Sequence, residues 1–310
     1  MAREDGISGF SLTRIAPAKI NLALHVVGQR ADGYHLLESL VTFADAGDRI
    51  GFSPSDKDRF TLSGRFSVDL PLSGEAASGN LVLKARDLLR AHLREKGIKV
   101  SPVHLHLEKN LPVASGIGGG SADAAATLLG LLELWGASID RDDLQEITLE
   151  LGADVPMCLH GRPLVARGIG DDIQMVADFP SFPMLIVNPL KAVSTPVIFK
   201  LLKDKTKPPL LMPPGKPSRD GWIHVLKGLR NDLEAPAREL EPDIVAVSNA
   251  LDLTGASFVR MSGSGASCFG LYASTDARDA AAAVLSRQHP NWYVLTCNSS
   301  HAEESRDDRE

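Results

Sequence analysis

The stretch Pro112-Val113-Ala114-Ser115-Gly116-Ile117-Gly118-Gly119-Gly120-Ser121-Ala122-Asp123-Ala124-Ala125-Ala126 runs a glycine-dense loop straight into an alanine- and leucine-rich helix. A helix start carries unpaired backbone N–H groups and the positive end of the helix dipole, so this junction is suited to an anion. Glycine lets the backbone come close to a ligand, a freedom that only costs entropy where no ligand uses it. The anion expected is a phosphate. Two common phosphate patterns are excluded. Counting from Gly116 and Gly118 puts Ser121 where a dinucleotide fingerprint needs its third glycine. No Gly-Lys-Ser/Thr follows the glycines, as a Walker loop requires. The plain alternative is a flexible turn ahead of a core helix.

Phosphoryl transfer requires that phosphates be held, charge neutralised and the attacking hydroxyl oriented by an acidic group. Lys19 and Asp154 are candidates for the last two tasks. Lys19 stands on the polar face of an apolar strand, where the alternative is a solvated lysine. Asp154 follows a helix end in Gly152-Ala153-Asp154-Val155-Pro156, where the alternative is a turn aspartate. Tyr34 and Phe199 are scarce aromatics beside turn or proline signals, and such rings can stack a base. His104 and His106 share a strand face without a third ligand spaced to join them, so a solvent-facing pair is expected there. Ser264, in Ser-Gly-Ser-Gly-Ala-Ser, lacks the outer glycines of a nucleophile elbow and reads as a second phosphate-facing turn.

These groups need elements to position them. Ile20, Leu22, Leu24 and Val26 alternate with Lys19, Asn21, Ala23 and His25, which predicts a half-buried strand that turns at Asp32-Gly33 into Tyr34–Leu37. Asn80 predicts the cap of an amphipathic helix ending near Gly97. Val103, Leu105 and Leu107 predict a strand that delivers the chain to the glycine loop, and the helix after it stops at Gly136. A helix capped by Asp140 follows and ends at Gly152. Beyond Pro180 the pattern is strand, helices, strand, strand, helix, strand, a ferredoxin-like order. Within it, Lys203–Pro217 is a lysine- and proline-rich connection expected to be exposed or mobile.

The 310 residues suffice for two domains, and 44% apolar composition is ordinary for a soluble chain. A formal charge of −6 disfavours a nucleic-acid binder. Cys158, Cys268 and Cys297 are odd in number and sit in apolar runs, so they read as reduced core residues in a cytoplasmic protein. No signal peptide and no membrane segment is expected.

Several motifs together carry a resemblance. The glycine loop resembles that of the galactose, homoserine, mevalonate and phosphomevalonate kinases. Ala18-Lys19-Ile20-Asn21-Leu22, Ala31-Asp32-Gly33-Tyr34-His35, Gly152–Pro156 and Thr195-Pro196-Val197-Ile198-Phe199 are similar to the branch that phosphorylates a cytidine-diphosphate-linked methylerythritol. The resemblance spans about Ile15 to Tyr272. It implies an α+β, two-lobed kinase: an ATP-binding and catalytic lobe at 10–175, a ferredoxin-like lobe at 176–298, and a disordered tail at 299–310. It implies transfer from ATP, with Mg²⁺, to the 2-hydroxyl of that acceptor in non-mevalonate isoprenoid synthesis. Asp154 would accept or orient the hydroxyl proton, and Lys19 would hold the hydroxyl and stabilise the moving phosphoryl group. Pro112, Val113, Ala114, Ser115, Gly116, Ile117, Gly118, Gly119, Gly120, Ser121 and Ala122 would form the ATP loop, with Asn80 and Lys109 near the adenosine. Tyr34 and Phe199 would sandwich the cytosine, His35 would read its edge, and Asn21 and Thr195 would touch the rest of the acceptor.

Two departures stand out. Ala122 occupies a position where a second serine is common, which leaves Ser121 as the only hydroxyl in that part of the loop and the metal ligands open. The segment 203–219 is longer and richer in proline than the branch leads one to expect. A monomer or weak homodimer is expected, with a small-molecule substrate as its partner. A sister kinase for homoserine or mevalonate would not need the base-stacking pair. A non-catalytic nucleotide-binding regulator would not need both Lys19 and Asp154.

Overall fold

Strand β1 (Leu12–Gln29) is much longer than its alternating stretch predicts. From Ala18 to Val26 both of its faces are buried, Lys19, Asn21 and His25 included, so the polar face is covered as well as the apolar one. The computed structural model describes residues 6–31, 33–70 and 79–301. Asp32, half of the predicted turn signal, lies outside them. Its neighbour Gly33 takes φ +91 and donates its N–H to Arg30 O, which closes the turn.

The chain continues through β2 (His35–Pro54), β3 (Arg59–Ser63), α1 (Leu81–Glu95), β4 (Val103–Glu108), α2 (Gly119–Trp135), α3 (Arg141–Leu151) and α4 (Val155–His160). Then come β5 (Leu164–Gly168), β6 (Asp172–Met175), β7 (Pro183–Asn188), α5 (Thr195–Leu201), α6 (Arg219–Gly228), α7 (Glu234–Leu240) and α8 (Asp243–Leu253). The last elements are β8 (Phe258–Met261), β9 (Cys268–Leu271), α9 (Thr275–Gln288) and β10 (Tyr293–Asn298).

Two compact units divide these residues, and each gathers segments from separate parts of the sequence. The first takes the described residues of Met1–Ala18, Ala46–Val113 and Gly118–His160. In it the C-terminal half of β2 pairs antiparallel with β4, Phe52 facing Leu105, and β3 pairs with β4 in parallel. Asn80 caps α1 as predicted, its Oδ1 accepting from Val82 N at 2.9 Å. Gly136 closes α2 in the left-handed conformation that glycine favours. Asp140 stands at the start of α3, but its side chain makes no cap hydrogen bond.

α2 buries Ala122, Ala124, Ala125, Leu128 and Leu131 and packs on α1 and α4. A Cβ added at Gly130 would lie 2.2–2.7 Å from three ring carbons of Phe52. Alanine in a helix gains about 1 kcal/mol over glycine, yet overpacking a tight core costs about 1–3 kcal/mol. At these distances the clash wins, so Gly130→Ala is expected to lower the denaturation midpoint. A raised midpoint in a urea titration would contradict the packing argument.

The second unit takes Lys19–Asp45, Ala114–Ile117 and the described residues from Gly161 on. The N-terminal half of β2 pairs with β5, Leu40 facing Val165, and β5 forms a hairpin with β6. The four-stranded antiparallel sheet has the order β10-β7-β9-β8, the ferredoxin-like arrangement predicted. Leu185, Val187, Ile244, Val247, Leu251, Cys268 and Leu285 fill the core beneath it. The three cysteines are free and buried.

Lys203–Pro217 forms no helix or strand and is mostly exposed, as expected, but it is tied down at single points. Lys207 N donates to Val26 O at 3.0 Å, Leu210 N donates to Glu38 Oε2 at 2.6 Å, and Leu210 is buried. Pro208 and Pro209 have no N–H to donate, and the N–H groups on either side of them, of Lys207 and Leu210, meet these acceptors on β1 and β2. The histidine pair does not face solvent. Parallel pairing of β3 with β4 sets Thr61 Oγ1 2.9 Å from His104 Nε2 and 2.8 Å from His106 Nδ1, while the Phe10 ring packs on both imidazoles. Of the predicted tail, 302–310 lie outside the described residues, whereas Ser299 is buried and Ser300 N donates to Phe43 O.

Candidate active site

In the first unit, β4 leads through Lys109 to the start of α2, the strand–loop–helix order a phosphate site requires. Gly118, in the left-handed conformation with φ 64, stands at the N-cap. The amides of Gly119, Gly120 and Ser121 open the helix, where the first N–H groups have no acceptor within it. Lys109 is buried at 3% exposure, and its Nζ lies 2.5 Å from Asp48 Oδ2 and 2.6 Å from Asp123 Oδ2. Burial disfavours this ammonium, but the two carboxylates outweigh it and hold its pKa above the ordinary lysine value. Burial, and then the repulsion of Asp48, raises Asp123 against the pull of Lys109.

Asp48 Oδ1 accepts from Asn110 N and Leu111 N, so one carboxylate braces both the lysine and the entry to the loop. A Cβ at Gly119 would lie 3.1 Å from Lys109 Nζ, which puts this buried charge against the first turn of α2. A Cβ at Gly120 would lie 3.5 Å from Leu81 Cδ1, so the start of α1, capped by Asn80, also lies beside the glycines. Asp154 is half-buried and opens α4, an element the sequence pattern missed because six residues are too few to show a helical period. Its carbonyl accepts from Cys158 N.

The second unit holds the middle of the glycine loop. Ile117 O accepts from Lys19 N at 2.9 Å, and Ser115 O accepts from Ser267 N. Ser262 Oγ donates to Gly116 O at 3.0 Å and accepts from Asn21 N at 3.1 Å. At Gly116, φ is +76 and a Cβ would meet Gly265 O and Ser262 O at 2.6 Å, so only glycine fits. The Ser262–Gly265 turn is therefore locked against the loop. Lys19 is 4% exposed, which removes the solvated-lysine alternative.

Asn21 is buried, and its Nδ2 donates to Ser39 Oγ at 2.7 Å. Ser39 donates its own proton to Ala23 O, so it must accept from Asn21, and this fixes the amide orientation. Asn21 Oδ1 is left without a partner. Thr195 Oγ1 sits 2.7 Å from Ser264 Oγ at the start of α5. His35 stacks on Phe199, with ring centroids 4.6 Å apart and planes at 20°. Burial, then Lys205, lowers the His35 pKa. Tyr34 is 67% exposed.

The structure thus groups Lys19, Asn21, Thr195 and Gly116 around the Ser262–Gly265 turn, and His35 with Phe199. Sequence reasoning missed Ser39, Asp48, Asp123 and Ser262 as supports. Only the glycine density of the Ser262–Gly265 turn could have signalled one of them.

The description GHMP kinases N terminal domain matches residues 80–162, and GHMP kinases C terminal matches residues 221–291. With the fold and the loop, these matches define an ATP-dependent small-molecule kinase. A curated 4-diphosphocytidyl-2-C-methyl-D-erythritol kinase of Sinorhizobium medicae is 63% identical over 94% of this chain and 96% of its own. The solved structure of a 4-(cytidine 5'-diphospho)-2C-methyl-D-erythritol kinase superposes with a TM-score of 0.75 at 32% identity, covering 94% of this chain and all of that one. A homoserine kinase from Cytophaga hutchinsonii shares the fold at a TM-score of 0.66 and 21% identity, over 93% of this chain and 95% of its own. The chain belongs to the 4-diphosphocytidyl-2-C-methyl-D-erythritol kinase family.

Proposed function

We propose that the chain transfers the terminal phosphoryl group of ATP to the 2-hydroxyl of 4-diphosphocytidyl-2-C-methyl-D-erythritol, giving the 2-phosphate and ADP in non-mevalonate isoprenoid precursor synthesis. The observation that carries this reading is the 63% identity, over nearly the whole length of both chains, to a curated kinase of that name.

Individual residues take roles that their surroundings support. The loop Pro112–Ala122 wraps the nucleotide phosphates, and its first-turn amides meet the negative charge. Lys109 acts through its charge beside Gly119, and Asn80 borders the adenosine end from the start of α1. Lys19 holds the acceptor hydroxyl and stabilises the phosphoryl group in flight. Asp154 orients that hydroxyl and takes its proton. Asn21 Oδ1, a buried acceptor with no partner, suits a second substrate hydroxyl, and Thr195 adds a contact beside it. Mg²⁺ would accompany the nucleotide and neutralise phosphate charge. Ser121 Oγ, in the first turn of α2, is the oxygen donor of this chain whose chemistry fits that ion beside phosphate oxygens. The protein works in the cytoplasm as a monomer or weak homodimer, without a nucleic-acid or membrane partner.

Tyr34 and Phe199 sandwich the cytosine, and His35, which lies beside Phe199, reads its edge. Base stacking is worth about 1–3 kcal/mol. Phe199→Ala should therefore raise KM for the cytidylyl acceptor by roughly tenfold or more and leave KM for ATP unchanged. A coupled assay of ADP release tests the whole reading. Equal turnover on an acceptor stripped of its cytidine would favour a sister kinase, and ATP binding without transfer to any alcohol would favour a regulator.

A further inference from the structure

In the second unit, α7, the segment before it and β8 border an open cavity of about 370 Å³, lined by Arg230, Arg238 and Arg260 together with Asn231, Glu234 and Ala235. Three guanidiniums thus meet two carboxylates, Glu234 in the lining and Asp232 behind Arg230. Each guanidinium is fixed by the protein. Arg230 Nε donates to Asp232 Oδ1, and its Nη2 donates to Pro208 O. Arg238 Nη2 is shared between Glu234 Oε1 and Ser248 Oγ. Arg260 is spent on the carbonyls of Leu22, Leu226 and Leu229.

These contacts leave Arg230 Nη1 and Arg238 Nη1 with no hydrogen bond to any described residue. Two pre-positioned guanidinium edges with donors to spare match the oxygens of a phosphate. Burial lowers the Arg260 pKa to about 10, so it stays charged at neutral pH and keeps the local field positive.

The cavity also connects to the phosphate loop within the same unit. Asn231 Nδ2 donates to Met261 O, just before the Ser262–Gly265 turn, and to Gly263 O within it. That turn is bonded to Gly116 O through Ser262. Arg260 Nη1 holds Leu22 O, on the strand that carries Lys19 and Asn21.

We propose that this cavity binds a small phosphate-bearing anion and that occupancy braces the Ser262–Gly265 turn, and through it the phosphate loop. None of its lining residues is among those assigned to ATP or acceptor. The coupling rests on the loop's role as phosphate holder; the binding does not.

The test titrates inorganic pyrophosphate calorimetrically into full-length enzyme saturated with a non-hydrolysable ATP analogue, so that the nucleotide site is already filled. One further site is expected. In Ala235→Glu, which adds a carboxylate at an exposed lining position and removes no existing bond, affinity should fall about tenfold or more. Arg238→Gln should weaken it similarly. Absence of binding to the loaded wild type, or equal binding to wild type and Ala235→Glu, overturns the site. Turnover at saturating ATP should rise about twofold or more with pyrophosphate in the wild type and stay flat in Ala235→Glu. A flat response in both overturns the coupling, whatever the calorimetry shows. Because binding is read without turnover, it stands or falls independently of the acceptor's identity.

Discussion

Asp154→Asn is expected to lower turnover by about 10²-fold or more, since a positioned general base contributes roughly 10²–10⁴-fold. The position explains why the effect should be chemical. Gly152, with φ +151, ends α3, and Asp154 opens α4, whose Val155, Pro156, Met157 and Cys158 are buried. Asp154 is therefore half-buried at an anchored helix start. Asparagine has the same shape and leaves the Cys158 N to Asp154 O bond in place. The variant should melt within a degree or two of the wild type, bind ATP normally and release ADP slowly in the coupled assay. Near-normal turnover would remove Asp154 from the mechanism. Lys19→Met should show a loss of similar size, and an unchanged rate would leave Lys19 a structural role alone.

Lys109→Met should be the most damaging single change to stability. Methionine keeps most of the volume but strands Asp48 and Asp123, both buried, as neighbouring carboxylates with no cation between them. Breaking such a pair costs about 3–5 kcal/mol, because the abandoned charges cannot recover their hydration. Asp48 would still hold Asn110 N and Leu111 N, so the loop entry should keep its path while the interior beside α2 loses its compensation. Guanidinium titration of Lys109→Met against Lys109→Met/Asp123→Asn separates these effects. The double variant should regain part of the loss, since Asp48 then faces a neutral amide in place of a second buried carboxyl group. A single-variant loss under about 0.5 kcal/mol would mean that the triad is better solvated than its geometry indicates.

The legible parts of the fold were those with local causes. Asn80 announces α1 by its own hydrogen bond to Val82, and Gly136 announces the end of α2 by its backbone conformation. The order of elements from β7 to β10 follows from periodicity broken by short turns. The full extent of β1 was hidden, because Leu12-Thr13-Arg14-Ile15-Ala16-Pro17 carries no sustained alternation of apolar and polar residues. α4 and α5, of six and seven residues, are too short to repeat a helical period.

The site divides in the same way. The glycine loop was legible because glycine at a helix start has few other uses. Its supports were not, because each joins residues far apart in the chain. Lys109 and Asp48 are 61 positions apart, and Asn21 and Ser262 are 241 apart. No local pattern encodes such a pair. The glycine density of the Ser262–Gly265 turn was the one available hint, whereas polar residues at buried strand positions, such as His106, read as facing solvent.

The distribution of the two units along the chain has a consequence for synthesis. Strands β1 and β2 each begin in one unit and end in the other, and the glycine loop leaves the first unit at Val113 and re-enters it at Gly118. During vectorial translation the first unit has all its residues once His160 is made, whereas the second cannot close early: Leu37–Val41 wait for β5, and β7 waits for β10 at nearly the end of the chain. Such non-local pairing slows folding and leaves sheet edges open to misassociation. A nascent chain stalled after His160 would carry a complete glycine loop but leave open the edge of β2 that β5 later covers. Its yield in cells should depend on chaperone capacity more than the stability of the finished fold alone suggests.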